Sequence, residues 1–254
     1  MDNGLPDFSN TDYWTKKVHI NDVWEEDPKK VKEEMKTHFE RRFAASQGDR
    51  LQLDGVQFDT ISRADNDLLT CRFGEDEIND ARVLEDLWSK EIWPKGSNAS
   101  FIALIPKVDS PVGLNDFRPI SLIGCIYKDV SKLLSLRLKR VLPKDIHDSQ
   151  FAFLGGRNML DSAIVVNKVL EAAKKAKIPT IAFKVDYEKA YDSVSWEFLE
   201  YMMVRLNFCW KWIGWIMNYL RSASVSVLIN GSPCEEFRMQ RGLRQGILLL
   251  RSSF

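Results

Sequence analysis

The order of apolar segments constrains the fold of this chain more than any other feature. Short apolar runs typical of strands occur at 100–108, 116–122 and 180–186. Between and after them, apolar residues recur at spacings of three and four, as in helices that bury one face. The two patterns follow one another without a repeating unit. The sequence therefore predicts an α+β fold rather than an alternating βαβ array.

Periodicity also locates the individual elements. Pro28 suits the first turn of a helix, and Pro143 is expected to end another. Residues 44–63 are rich in polar residues and glycine, which predicts a linker or loose strands. Asn230-Gly231 predicts a tight hairpin turn within 224–237. The predicted helices are 28–46, 75–92, 123–141, 161–177, 196–206 and 210–220.

Charge divides the chain into two regions. The 36 basic and 36 acidic residues cancel, but residues 1–95 hold 14 basic and 22 acidic residues, a net charge of −8. Residues 96–254 hold 22 basic and 14 acidic residues, a net charge of +8, which is typical of a region that meets a polyanion. No apolar run approaches the roughly 20 residues that span a bilayer, and the acidic start is not a signal peptide. We expect an intracellular protein without a membrane partner.

The segment FKVDYEKAYDSVSW (183–196) contains the strongest candidate for chemistry. A carboxylate at the end of a buried strand is costly unless it is compensated, and a divalent cation is the usual compensation. Asp186 is therefore a candidate metal ligand. Asp192 could cap the helix that begins near Val194 or take part in catalysis, and the sequence leaves both interpretations open.

This segment resembles the A motif of reverse transcriptases, particularly those of plant LINE-type non-LTR retrotransposons. Further blocks are similar to that family and occur in its order; they are 102–107, 115–128, 150–157, 224–233 and 240–246. The resemblance implies a partial right-hand polymerase, with fingers and palm elements, behind a helical N-terminal leader. Residues 1–95 are then an acidic connector, and 96–254 a partial reverse transcriptase domain that lacks the Ala-Asp-Asp strand and the thumb.

The resemblance implies roles for individual residues. Asp186 is implied as the catalytic carboxylate and, with the backbone carbonyl of Tyr187, as a ligand of Mg²⁺ in two-metal nucleotidyl transfer. Tyr191 matches an aromatic gate beneath the sugar, although core packing is an alternative, and Arg118 and Arg157 could instead form structural ion pairs. The implied nucleotide-binding residues are Lys107, Arg118, Arg157, Tyr191, Gln245 and Gly246, and the implied nucleic-acid-binding residues are Arg241 and Arg244.

The implied function is RNA-directed DNA polymerisation by a retroelement protein found in the cytoplasm and nucleus. Its partners are an RNA template, a DNA primer and deoxynucleoside triphosphates, and its oligomeric state is left open. With Asp186 as the sole assigned carboxylate, we expect weak Mg²⁺ binding and an incomplete catalytic site. One alternative is a non-catalytic nucleic-acid-binding remnant that uses tryptophans for stacking, although tryptophans at this spacing are also typical of a core. Another is a pseudogene product without a selected role. The tryptophans concerned are Trp196, Trp210, Trp212 and Trp215.

Overall fold

The computed structural model describes residues 18–20, 23–45, 52–74, 98–109, 111, 113–145, 159–183, 185 and 192–243. Helices and strands are mixed within these ranges, in agreement with the predicted α+β class. The helices are α1 (Pro28–Phe43), α2 (Arg63–Thr70), α3 (Cys125–Asp145), α4 (Met159–Lys175), α5 (Trp196–Arg205) and α6 (Trp210–Arg221). The strands are β1 (Val18–Ile20), β2 (Val23–Glu25), β3 (Ala99–Pro106), β4 (Phe117–Ile123), β5 (Ser224–Ile229), β6 (Ser232–Pro233) and β7 (Phe237–Arg238).

Most predicted helices are present with small differences at their ends. Helix α1 begins at Pro28, where the Asp27 side chain accepts a hydrogen bond from the Lys29 amide. Helix α3 continues two residues beyond Pro143, because a proline in the last turn removes only one hydrogen bond of the helix. Helix α2 was not predicted, and the predicted helix 75–92 lies outside the described residues.

The main sheet contains five strands in the order β4-β3-β5-β6, with β7 also paired to β5. Strand β3 runs antiparallel to β4 and parallel to β5, which brings residues about 125 positions apart into register, as in Ile102 opposite Val227. The predicted hairpin turn is confirmed, since Asn230 and Gly231 have φ values of 50° and 71°. Positive φ at both central residues is the geometry that Asn-Gly favours.

One face of this sheet is packed and the other is open. The packed face presents Ile102, Val225 and Val227, which are buried in a core shared with helices α1, α3, α5 and α6. That core includes residues from both sides of the predicted boundary at 95, so the first helix is not a separate body. On the open face, alternate residues of β3 and β4 stay exposed; they are Phe101, Ile105, Ile120 and Leu122.

Buried polar groups fix the packing of α3. Arg137 is buried and donates hydrogen bonds to the carbonyls of Leu69, Cys71 and Arg72, which joins the end of α2 to α3. Its guanidinium also lies 4.3 Å from the centroid of the Phe73 ring. The bond to the Leu69 carbonyl is buried and the other two are partly buried, so this arginine stabilises the end of α2 and the turn after it.

The predicted core strand at 180–186 is wrong for its described residues. Residues 178–183 and 185 form no strand, and the side chains of Ile181 and Phe183 are 93% and 88% exposed. A strand is stable only when a neighbour supplies hydrogen bonds along its edge, and no described strand pairs with this segment. Apolar β-branched composition alone therefore does not produce a strand here.

In the described part of the chain, no helix combines the length and apolar character needed to cross a membrane.

Candidate functional site

Two predicted site residues lie at one end of the β3–β4 hairpin. Lys107 directly follows β3, and its side-chain amine donates to the Asn115 carbonyl at 2.6 Å. Its amide donates to the Asp116 carbonyl at 2.7 Å, which closes the hairpin. Arg118 lies opposite Ile105 and is exposed, so its side chain shares the open face of the sheet. The hairpin thus brings together two cationic groups that the sequence places eleven positions apart.

A second arrangement, which we call the three-segment junction, joins residues 42–45, 192–196 and 240–242. At its centre is the C-terminal end of α1, whose last carbonyls have no partner within the helix. The Phe43 carbonyl accepts hydrogen bonds from the amides of Gln240 and Arg241, at 2.9 and 3.2 Å. The Arg42 carbonyl accepts from Arg241 Nε at 2.8 Å. The positive guanidinium of Arg241 therefore stabilises the negative end of the helix dipole.

The same segment, 240–242, also binds residues 192–196. The Gly242 amide donates to the Val194 carbonyl at 2.8 Å, and Trp196 Nε1 donates to the Gly242 carbonyl at 2.9 Å. Gly242 has a φ of +84°, and a Cβ added to it would lie 2.6 Å from the Asp192 carbonyl oxygen. Glycine is therefore required here both for its backbone conformation and for the close approach of two chain segments.

An ion pair joins the remaining two segments of the junction, 42–45 and 192–196. Arg42 Nη2 donates to Asp192 Oδ2 at 2.5 Å, and each side chain is 18% exposed. The interpretation of Asp192 as a helix cap is wrong, because Ser195 caps α5 by accepting a hydrogen bond from the Phe198 amide. Asp192 is held in an ion pair with a helix from the acidic region instead.

Most predicted site residues lie outside the described residues; they are Arg157, Asp186, Tyr187, Tyr191, Arg244, Gln245 and Gly246. In sequence, however, Tyr191 directly precedes Asp192, and Arg244 follows Leu243. The junction thus joins the described residues that flank these two groups. The sequence gives no local signal for Arg42, whereas a glycine directly after the basic residue Arg241 is a weak signal for Gly242.

The described residues do not by themselves fit a metal ion. Among them, no three histidine, cysteine, aspartate or glutamate side chains come together in a way that could hold one. The Asp192 carboxylate is engaged by Arg42, so its charge is already compensated. Asp186 and Tyr187, the predicted ligands, are not described, and we derive no step through magnesium.

Three of the four tryptophans considered for base stacking belong to the core. Trp196, Trp212 and Trp215 are buried, and the last two pack against each other with ring centroids 6.1 Å apart. Trp210, at the start of α6, is exposed. The helical spacing of these residues therefore reflects packing in the core rather than a surface on which nucleic-acid bases stack.

Comparison with known proteins identifies the class of protein to which this mixed sheet, cationic hairpin and three-segment junction belong. Residues 105–249 match the family described as Reverse transcriptase (RNA-dependent DNA polymerase). Since this is more than half of the 254 residues, the chain belongs to that family. The predicted resemblance to reverse transcriptases is confirmed, whereas its plant, LINE-type part stays a prediction.

Two relatives add detail. A stretch of 165 residues is 31% identical to the Transposon TX1 uncharacterized 149 kDa protein of Xenopus laevis, covering 65% of this chain and 13% of that protein. A stretch of 160 residues is 26% identical to the Retrovirus-related Pol polyprotein from type-2 retrotransposable element R2DM of Drosophila melanogaster, covering 63% of this chain and 15% of the polyprotein. The chain thus spans less than a sixth of the length of either relative.

Proposed function

We propose that this chain is part of a non-LTR retroelement reverse transcriptase and serves RNA-templated DNA synthesis. The observation that carries the proposal is the family match over 105–249, together with relatives that are a transposon protein and a retrotransposable-element polyprotein. In this proposal, residues 96–254 supply fingers and part of the palm, and 1–95 form the leader. The metal ion is Mg²⁺, with Asp186 and the Tyr187 carbonyl as ligands.

We propose that the β3–β4 hairpin contacts the phosphates of nucleotide or template. Arg118 supports this because it is exposed and its planar guanidinium can pair with two phosphate oxygens. Lys107 supplies a second charge at the same end of the hairpin, although one of its donors is already used by Asn115. Arg157, Tyr191, Arg244, Gln245 and Gly246 complete the proposed nucleotide and nucleic-acid contacts.

Binding of an RNA–DNA primer–template to the full chain over a series of salt concentrations tests the hairpin. We expect affinity to fall steeply with salt, because phosphate contacts release counterions. Arg118→Gln should weaken binding and reduce the salt slope by about 1. Arg63→Gln is the matched control, an exposed arginine at the start of α2, and should leave both unchanged. Equal effects of the two substitutions would exclude a specific role for Arg118.

Primer extension with Mg²⁺ and deoxynucleoside triphosphates tests the chemistry. We expect the 254 residues alone to give no extension above background, because two-metal transfer needs more carboxylates than Asp186 provides. Synthesis that Asp186→Asn abolishes would show that the site is complete and support the assignment of Asp186. Undetectable or salt-insensitive binding would exclude both this role and the non-catalytic nucleic-acid-binding alternative.

A further inference from the structure

The C-terminal end of α1 forms several hydrogen bonds with the candidate site, although the sequence predicts that its region is only a connector. Its Arg42 and Phe43 receive hydrogen bonds from Gln240 and Arg241, and the Ala45 amide donates to Gln240 Oε1 at 3.0 Å. These residues lie about 195 positions apart in sequence. The contacts are therefore formed only by the folded chain, and they connect the acidic region to the part of the chain that directly precedes Arg244.

Two residues of the junction contact both other segments: Arg241, which also forms an isolated β-bridge with Ser195, and Arg42. The Arg42 side chain pairs with Asp192, and its carbonyl accepts from Arg241. The ion pair is largely shielded from water, where charge-assisted hydrogen bonds are stronger than at an exposed surface. Arg42 Nε is buried and has no hydrogen-bond partner among the described residues.

From these contacts we propose that Arg42 is a positioning residue of the candidate polymerase site. It holds the segment that begins at Asp192 against the segment that ends at Gly242; in sequence, Tyr191 directly precedes the first segment, and Arg244 follows the second after Leu243. This inference rests on the proposed function, since Tyr191 and Arg244–Gly246 are assigned to substrate only there. It adds to that function a contribution from the acidic region, which the sequence assigns to a connector.

Hydrogen exchange on the full chain tests the positioning directly. Arg42→Met removes the charge and the donor while keeping an apolar stem. We expect amide exchange at 192–196 and 240–242 to rise together by about tenfold or more, because a charge-assisted hydrogen bond is lost. Exchange in β3 and α3 should stay unchanged, which distinguishes a local release from general unfolding. Arg41→Met, at the exposed neighbouring arginine, is the matched control and should match the wild type.

A conservative substitution of Arg42 tests whether its charge, rather than the packing of its side chain alone, holds the two segments together. Arg42→Lys keeps the positive charge and removes the unpaired Nε, so it should restore most of the protection at both segments. Release of one segment only, or a uniform rise in exchange over the whole chain, would overturn the proposal. So would equal effects of Arg41→Met and Arg42→Met.

Binding of a deoxynucleoside triphosphate with Mg²⁺ connects the junction to the site. We expect Arg42→Met to weaken binding by about fivefold to tenfold, and Asp192→Asn to add nothing further in the double variant, because one interaction is removed twice. Unchanged affinity in Arg42→Met would overturn the positioning role. If the wild-type chain binds no nucleotide, the proposed nucleotide contacts fail, while the exchange comparison still decides whether Arg42 joins the two segments.

Discussion

Helices α3 and α4 have similar local signals and opposite environments. Both carry apolar residues at helical spacing, and α4 also has Asp161 in its first turn and Lys174 and Lys175 in its last, which suits the helix dipole. Yet Leu134 of α3 is fully buried, whereas Leu160 of α4 is 68% exposed. Local sequence therefore determines that a helix forms, but burial requires a surface to pack against.

The same contrast extends to the segment that follows α4. We call residues 159–183 and 185 the α4 arm, and in it most aliphatic side chains are exposed; they are Leu160, Ile164, Val165, Val166, Val169, Leu170, Ile178, Ile181 and Val185. The core around α3 and α6 instead buries its apolar residues against aromatic rings, as in Tyr127 stacked 4.5 Å from Tyr219. Stability should therefore reside in the core and not in the arm.

The largest expected effect is a difference in stability between a leucine-to-alanine substitution in the core and one in the α4 arm. Leu134→Ala should lower the free energy of unfolding by about 3 kcal/mol, because it leaves a cavity in the core. Leu160→Ala should change it by less than about 0.5 kcal/mol, because the side chain is already in water. Urea unfolding of the two variants measures both values. Similar losses would show that the α4 arm is packed in solution.

Two glycines with similar backbone conformations differ in their surroundings, since one faces open space and the other is packed. Gly55 and Gly242 have nearly equal φ values, +83° and +84°, but a Cβ at Gly55 would meet nothing within 4 Å. Gly55→Ala should cost about 1 kcal/mol for its left-handed backbone alone. Gly242→Ala should cost about 2 kcal/mol more, because the Asp192 backbone must move.

Urea unfolding measures this difference, and hydrogen exchange locates it. Gly242→Ala should raise exchange at 192–196 as well as at its own segment. An equal cost at the two glycines would mean that the close approach at the three-segment junction is relaxed in solution.

The sequence predicted features that are specified locally. Helix α1 begins at the predicted residue because Asp27 and Pro28 are adjacent signals, and the Asn230-Gly231 turn needs two positive φ values that this pair favours. It could not predict that Arg42 meets Asp192 across 150 positions. Nor could it predict that Arg137 is buried, since a charged residue in a helix is expected on the solvent side.

The strand predicted at 180–186 is wrong over its described residues for a related reason. Its composition favours a strand, but pairing depends on a neighbour that composition does not specify. Of the residues predicted for the candidate site, the structure describes Lys107, Arg118 and Arg241, and their roles stay a prediction. The contacts of Arg241 with α1 followed from tertiary structure alone.

The smallest effect concerns an ion pair between α1 and the segment that connects β6 to β7. Lys36 Nζ of α1 lies 2.5 Å from Glu235 Oε2. The hydrogen bond from Lys36 lowers the pKa of Glu235 below its ordinary value of 4.5. The same bond raises the pKa of Lys36 above 10.5, against the opposing effect of desolvation. This pair therefore links the two charge regions through an exposed interaction.

The sign of each shift sets the pH range of this link. Glu235 contributes stability above pH 4.5, and that contribution is lost as pH falls through its lowered pKa in the folded protein. Lys36 contributes below pH 10.5 and loses its contribution as pH rises through its raised pKa. Glu235→Gln should therefore lower the unfolding midpoint slightly at pH 7, and the difference from wild type should vanish in acid.

Thermal unfolding at a series of pH values measures this effect, with Glu236→Gln as the matched control at the adjacent exposed carboxylate. Raising the salt concentration should shrink the difference between the Glu235 variant and the wild type, because the pair is exposed on the Glu235 side. If Glu235→Gln and Glu236→Gln behave alike at every pH, the pair does not hold α1 to the segment that connects β6 to β7. The attachment of α1 would then depend on the three-segment junction and the apolar core, whose contacts are less screened by salt.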